Sequence, residues 1–138
     1  LPAARFVGAA LTHAGAAWVM GGHPGCGQYH DDLLRAELGD AGLGSWARVG
    51  SLGRAGAVAA AGATSEGIFF IGGDGGGYAV GTVGAVRPEA PHERYVAAAV
   101  APFTGASTQQ GPFVYTVGAQ GVFRVALPGC VGEVCVTP

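Results

Sequence analysis

Trp18-Val19-Met20-Gly21-Gly22 is answered downstream by Phe69-Phe70-Ile71-Gly72-Gly73. Each is an apolar run shut by a glycine pair, and Gly21 and Gly72 stand 51 residues apart. Working outward, Leu1-Pro2-Ala3-Ala4-Arg5 ahead of the first pair matches Leu52-Gly53-Arg54 ahead of the second, with the arginines 49 apart. Beyond the pairs, Ser45-Trp46-Ala47-Arg48-Val49 is echoed by Glu93-Arg94-Tyr95-Val96, and the aromatic residues are again 49 apart. A worn third copy runs Pro112-Phe113-Val114-Tyr115-Thr116-Val117-Gly118-Ala119, its glycine 46 residues after Gly72 and the second glycine replaced by alanine. Self-similarity at such a period marks a chain built of stacked supersecondary units. The units are approximately 1–49, 50–98 and 99–138, within one domain spanning 1–138.

The units read as short strands. Ala16–Met20, Gly67–Ile71 and Phe113–Val117 are five residues long, carry β-branched, aromatic and other apolar side chains, and run into glycine, the pattern of a strand followed by a turn. Alternation of apolar and polar residues from Leu34 to Leu38, echoed over Ala79–Val86 and Gly121–Leu127, predicts a third strand in each unit. The Ala/Gly-rich pieces Ala9–Ala17 and Ala55–Ala63 favour helix by alanine content. Gly8, Gly15, Gly56 and Gly62 interrupt them, and the small side chains suit an innermost strand where sheets converge. The expected fold class is therefore all-β, each unit a set of short strands.

Composition narrows the function. The chain has 138 residues, is 49% hydrophobic and 12% charged, and carries a net charge of −2, which excludes a disordered tail. All seven basic residues are arginine. Without lysine there is no P-loop, no Schiff-base lysine and no polybasic tail for nucleic acid or membrane. Asn is absent too, and with it any N-glycosylation acceptor. Mean hydropathy is +0.37, but the longest apolar runs, such as Ala55–Ala63, fall well short of the ~20 residues of a spanning helix. The chain opens on Leu1 with no charged segment before an apolar one, so no signal peptide is expected and the sequence reads as a processed or excised piece. The three cysteines are Cys26, Cys130 and Cys135. A Cys130–Cys135 bridge would close a small loop and stabilise by roughly 2 kcal/mol or less, leaving Cys26 as a free thiol or the partner of a cysteine elsewhere.

With these landmarks in order, the sequence resembles the kelch repeat, the blade unit of one β-propeller family. Arg5, Gly21-Gly22, Tyr29 and Trp46 fill the family pattern nearly completely in the first unit. Arg54, Gly72-Gly73 and Tyr78 do so in the second, where Tyr95 replaces the tryptophan. The third keeps only the strand and Gly118. The resemblance covers about residues 1–127 and implies four-stranded propeller blades, with the Trp or Tyr of the fourth strand buried between neighbours. Propellers have typically 4–8 blades, and two and a half to three cannot close a ring. The chain is then an incomplete propeller: a fragment of a longer one, which is the favoured reading, or one of several copies in a ring.

Several motifs carry candidate chemistry. His23-Pro24-Gly25-Cys26-Gly27-Gln28-Tyr29-His30-Asp31-Asp32 gathers metal-ligand types, yet its spacing matches no zinc module, and it falls where kelch blades carry long polar loops; no metal or cofactor is expected. Gly72-Gly73-Asp74-Gly75-Gly76-Gly77-Tyr78 follows a strand but lacks the spacing of a dinucleotide loop and opens no helix, so it reads as a turn. Ala63-Thr64-Ser65-Glu66-Gly67 has the outline of a nucleophile elbow on the wrong side of its strand. Asp31 and Asp32 are adjacent and would face opposite ways. Arg5 and Arg54 hold equivalent places, where they would either grip a carboxylate by bidentate bonds or bind backbone carbonyls between blades. The expected function is a non-catalytic binding scaffold for a protein or small polar ligand. Arg5, His23, His30, Arg54, Asp74 and Tyr78 are its candidate contact residues. The competing reading is an enzyme on the same frame, a sugar epimerase or mutarotase, or a copper oxidase like galactose oxidase.

Overall fold

The computed structural model describes residues 1–6, 8–25, 28–52, 58, 60–65, 67–71, 82–87, 90–99, 106–118 and 121–127. Among these the regular structure is entirely β, in three antiparallel sheets. The first holds β1 (Ala9–His13), β2 (Ala16–Met20), β3 (Asp32–Gly39), the two-residue β4 (Gly42–Leu43) and β5 (Ala47–Ser51). The second holds β6 (Ala60–Thr64), β7 (Gly67–Ile71), β8 (Thr82–Arg87) and β9 (Ala90–Ala99). The third holds β10 (Ala106–Gln110), β11 (Phe113–Gly118) and β12 (Gly121–Ala126).

Each sheet is a meander in chain order. The paths are β1-β2-β3-β5, with β4 folded back on the far end of β3, then β6-β7-β8-β9, then β10-β11-β12. The expected second strands coincide with β2 and β7 residue for residue, and with β11 to within one. The expected third strands correspond to β3, β8 and β12. One boundary differs: Ala9–Ala17 is not a single inner strand, because the chain turns at Ala14-Gly15 and its last two residues already belong to β2. Ala14 has φ 50° and Gly15 φ 71°. Positive φ at both central residues defines the I′ turn, whose twist suits a hairpin.

The sheets lie face to face. First strands are neighbours, β1 beside β6 and β6 beside β10, and β5 lies beside β9. Between the first two sheets the core gathers Trp18, Met20 and Leu33 with Ile68, all fully buried, over Ala9, Ala16, Leu52 and Val58. Phe69 and Ile71 point the other way along β7 and are also fully buried, so β7 is covered on both faces. Burying a side chain of this size contributes about 1.5–3 kcal/mol, and no single sheet could bury both of its faces.

Gly62 shows how close the approach is. It sits in β6 opposite Phe69, and a Cβ there would lie 2.8 Å from Val114 Cγ2 and 2.9 Å from Leu127 Cδ1. The third sheet thus presses on the inner strand of the second, which is why glycine stands at position 62.

Trp46 departs from the place the resemblance implies. Trp46 stands one residue before β5, outside the fourth strand, and is half-buried. Trp18 is the core residue, its Nε1–H donating to the His13 carbonyl at 3.1 Å and the Arg35 guanidinium 5.5 Å from its ring.

Candidate functional site

The segment joining β2 to β3 is shaped by the glycine pair. Gly21 and Gly22 have φ 62° and 91°, left-handed values that L side chains rarely adopt. At Gly22 a Cβ would also fall 2.7 Å from the Phe6 carbonyl oxygen. The close approach lets Phe6 and His23 exchange backbone bonds, Phe6 N–H to His23 O at 2.7 Å and His23 N–H to Phe6 O at 3.0 Å. The far end of the segment is fixed by His30 N–H donating to Gly22 O at 2.7 Å and Gly21 N–H to Asp32 O at 3.2 Å.

Arg5 locks this arrangement. Its Nη1 donates to Asp32 Oδ1 at 2.6 Å and to Gly21 O at 3.1 Å, and its Nη2 donates to Asp32 Oδ2 at 3.1 Å. The Arg5 side chain is only 4% exposed. Arg5 thus combines a bidentate grip on a carboxylate, the chain's own Asp32, with a bond to one backbone carbonyl, that of Gly21. Burial pushes the Asp32 carboxyl up, but the hydrogen bonds and charge of Arg5, joined by the charges of His30 and Arg48, outweigh it and hold the group below the usual carboxylate range. Asp31 faces away, as adjacency requires, and accepts from Arg48 Nη2 at 3.0 Å and Ser51 Oγ at 2.6 Å.

Above this clamp lies a run of rings. Phe6 is 61% exposed, and its centroid lies 6.2 Å from that of His23, which lies 5.3 Å from that of Tyr29. His23 Nδ1 accepts from Gly25 N–H at 3.2 Å, which fixes the imidazole against the loop. Tilted rings at these separations attract one another beyond the area they bury. The result is an aromatic platform on a loop held at both ends.

A second concavity opens where the first strands converge. A cleft of about 560 Å³ between β1, β6 and β10 is lined by residues 8–11, Ala61 and residues 106–109. Gln109 reaches from β10 to the edge of β6: its Nε2 donates to Ala63 O at 2.6 Å and its Oε1 accepts Ala63 N–H at 2.8 Å. The side-chain amide thereby supplies what a further strand would.

Of the residues expected to contact a ligand, His23 and His30 lie on the loop and Arg5 beneath it. Arg54, Asp74 and Tyr78 lie outside the described residues, as do Cys26, Cys130 and Cys135. Among the described residues, no three His, Cys, Asp or Glu side chains gather as metal ligands would, and no helix is long and apolar enough to cross a membrane. Phe6 and Asp32 acquire their roles only through the fold. Phe6 follows the landmark Arg5 directly, but no local pattern pairs an arginine with an acid 27 residues on. The chain matches no protein-family model, and no curated protein matches it.

Proposed function

We propose that this chain is a sector of a kelch-type propeller acting as a non-catalytic recognition module for a protein or small polar ligand. The observation that carries the reading is the exposed Phe6 ring joined to His23 and Tyr29 on a loop clamped by Arg5, Asp32 and the glycine pair. An exposed aromatic held in place loses little freedom on binding, and such residues dominate recognition surfaces. Three meanders of one strand order, with neighbouring first strands, support the propeller part of the reading. The frame supplies rigidity, and the loops between strands supply contacts. Closing a ring then needs further blades, from the rest of a longer chain or from further copies.

The test is to screen the chain against peptide and glycan arrays and titrate every hit with wild type and Phe6→Ala. Loss of an exposed aromatic anchor is expected to weaken binding roughly 30-fold, about 2 kcal/mol, with the melting temperature unchanged. Hits that bind Phe6→Ala as tightly as wild type, or arrays that return no hit, would overturn the platform.

A further inference from the structure

Along the three second strands the same places recur at the repeat spacing. Trp18, Phe69 and Tyr115 are equivalent, as are Met20, Ile71 and Val117, at separations of 51 and 46 residues. Leu33, opposite Met20, corresponds to Val122, opposite Val117. In the first two sheets this face is sealed by the next sheet: Met20, Leu33 and Ile71 are 0% exposed. In the third sheet Val117 is 56% exposed and Val122 71%. The face even repeats its charge, Arg35 standing near the Trp18 ring and Arg124 over the Phe113 ring at 4.8 Å.

The chain also carries the complementary surface. The residues that seal the face in the first two sheets are Ile68 and Val114, flanked by Ala61 and Ala63 in the case of Ile68. Their equivalents in the first sheet are Ala17, Ala10 and Thr12. Ala17 is half-buried, whereas Ala10 and Thr12 are exposed. One molecule thus holds an uncovered apolar face at one end of its stack and, at the other, the uncovered places equivalent to those that cover such faces, with the smaller Ala17 where Ile68 and Val114 stand.

We propose that the Val117/Val122 face of one molecule docks on the Ala10/Thr12/Ala17 face of a second copy, continuing the contact already made twice within the chain. The contact is head to tail, and such contacts either close into a ring or propagate. Two copies bring six sheets, a number within the range of closed propellers. The closed pair rests on the propeller reading above, whereas the contact rests on the repeat alone.

Light scattering on the full chain with two blocking variants tests it. Val122→Asp spoils the head face and Thr12→Glu the tail face, both at exposed positions. Wild type is expected at twice its 13.6 kDa mass, each variant at the single mass with unchanged far-ultraviolet circular dichroism, and their equimolar mixture as a 1:1 complex through the one intact contact. Should Val122→Asp lose its β signal, Val122→Ser replaces it and is expected to weaken pairing at least tenfold. A folded wild type at the single mass would overturn the proposal and leave a longer chain as the source of further sheets. Thr12→Glu that still pairs with itself would overturn the head-to-tail order. A ladder of masses abolished by Val122→Asp would support the contact and overturn the closed pair.

Discussion

Replacing Gly22 by alanine would place a methyl carbon 2.7 Å from the Phe6 carbonyl oxygen at φ 91°. Neither the backbone angle nor the neighbour gives way cheaply, so Gly22→Ala is expected to cost at least ~2 kcal/mol, read by urea unfolding. Ala14 is the opposite case: a side chain already holds the left-handed turn position at φ 50°. Ala14→Asn, in the Asn-Gly order that I′ turns prefer, is expected to gain about 1 kcal/mol by relieving it. Asp32 joins the residue scale to pH. Its folded carboxyl is depressed, so its stabilisation is present above the unfolded carboxylate range and is lost as pH falls through the folded value. Asp32→Asn leaves Arg5 buried without its counter-charge and is expected to cost about 3 kcal/mol at neutral pH. The variant's melting temperature should then fall less on acidification than that of wild type.

At the scale of elements, much of the structure was legible. The runs ahead of Gly21 and Gly72 gave their strands to the residue, because apolar composition and a closing glycine both act locally. The inner strand of the first sheet is shorter than its Ala/Gly-rich stretch suggests, because the turn at Ala14-Gly15 places an alanine where pattern reading expects asparagine or glycine. Trp18 and Trp46 were harder still. Which tryptophan is buried depends on which face of β2 meets the second sheet, and that is decided some 50 residues away by Ile68. Gln109 was invisible for the same reason, since its partner Ala63 is on another sheet. Its amide caps the open edge of β6, an edge that would otherwise invite foreign strands. Gln109→Ala is expected to cost about 1–2 kcal/mol and to speed hydrogen exchange at the Ala63 amide. Unchanged exchange there would show that the amide pair contributes nothing.

For the whole molecule, the repeat revealed the units and the structure reveals how they meet. Successive sheets bury the same places, Trp18 and Met20 in one and Phe69 and Ile71 in the next, so stability belongs to interfaces between sheets more than to any one of them. The candidate site was legible in part: the loop carrying His23 and His30 stood out by residue type, whereas its support by Arg5 and Asp32 and its outermost ring, Phe6, emerged only when the chain closed on itself. The interface between the second and third sheets is open to one decisive measurement, a double-mutant cycle on Gly62 and Val114 followed by urea unfolding. Gly62→Ala is expected to cost about 1–3 kcal/mol by overpacking and Val114→Ala about 2 kcal/mol by the cavity it leaves. Because the added methyl occupies part of the space the lost one vacates, the double variant should fall short of the sum by about 1 kcal/mol. Costs that simply add would mean that the two sheets do not press together at Gly62, and would contradict the face-to-face stack.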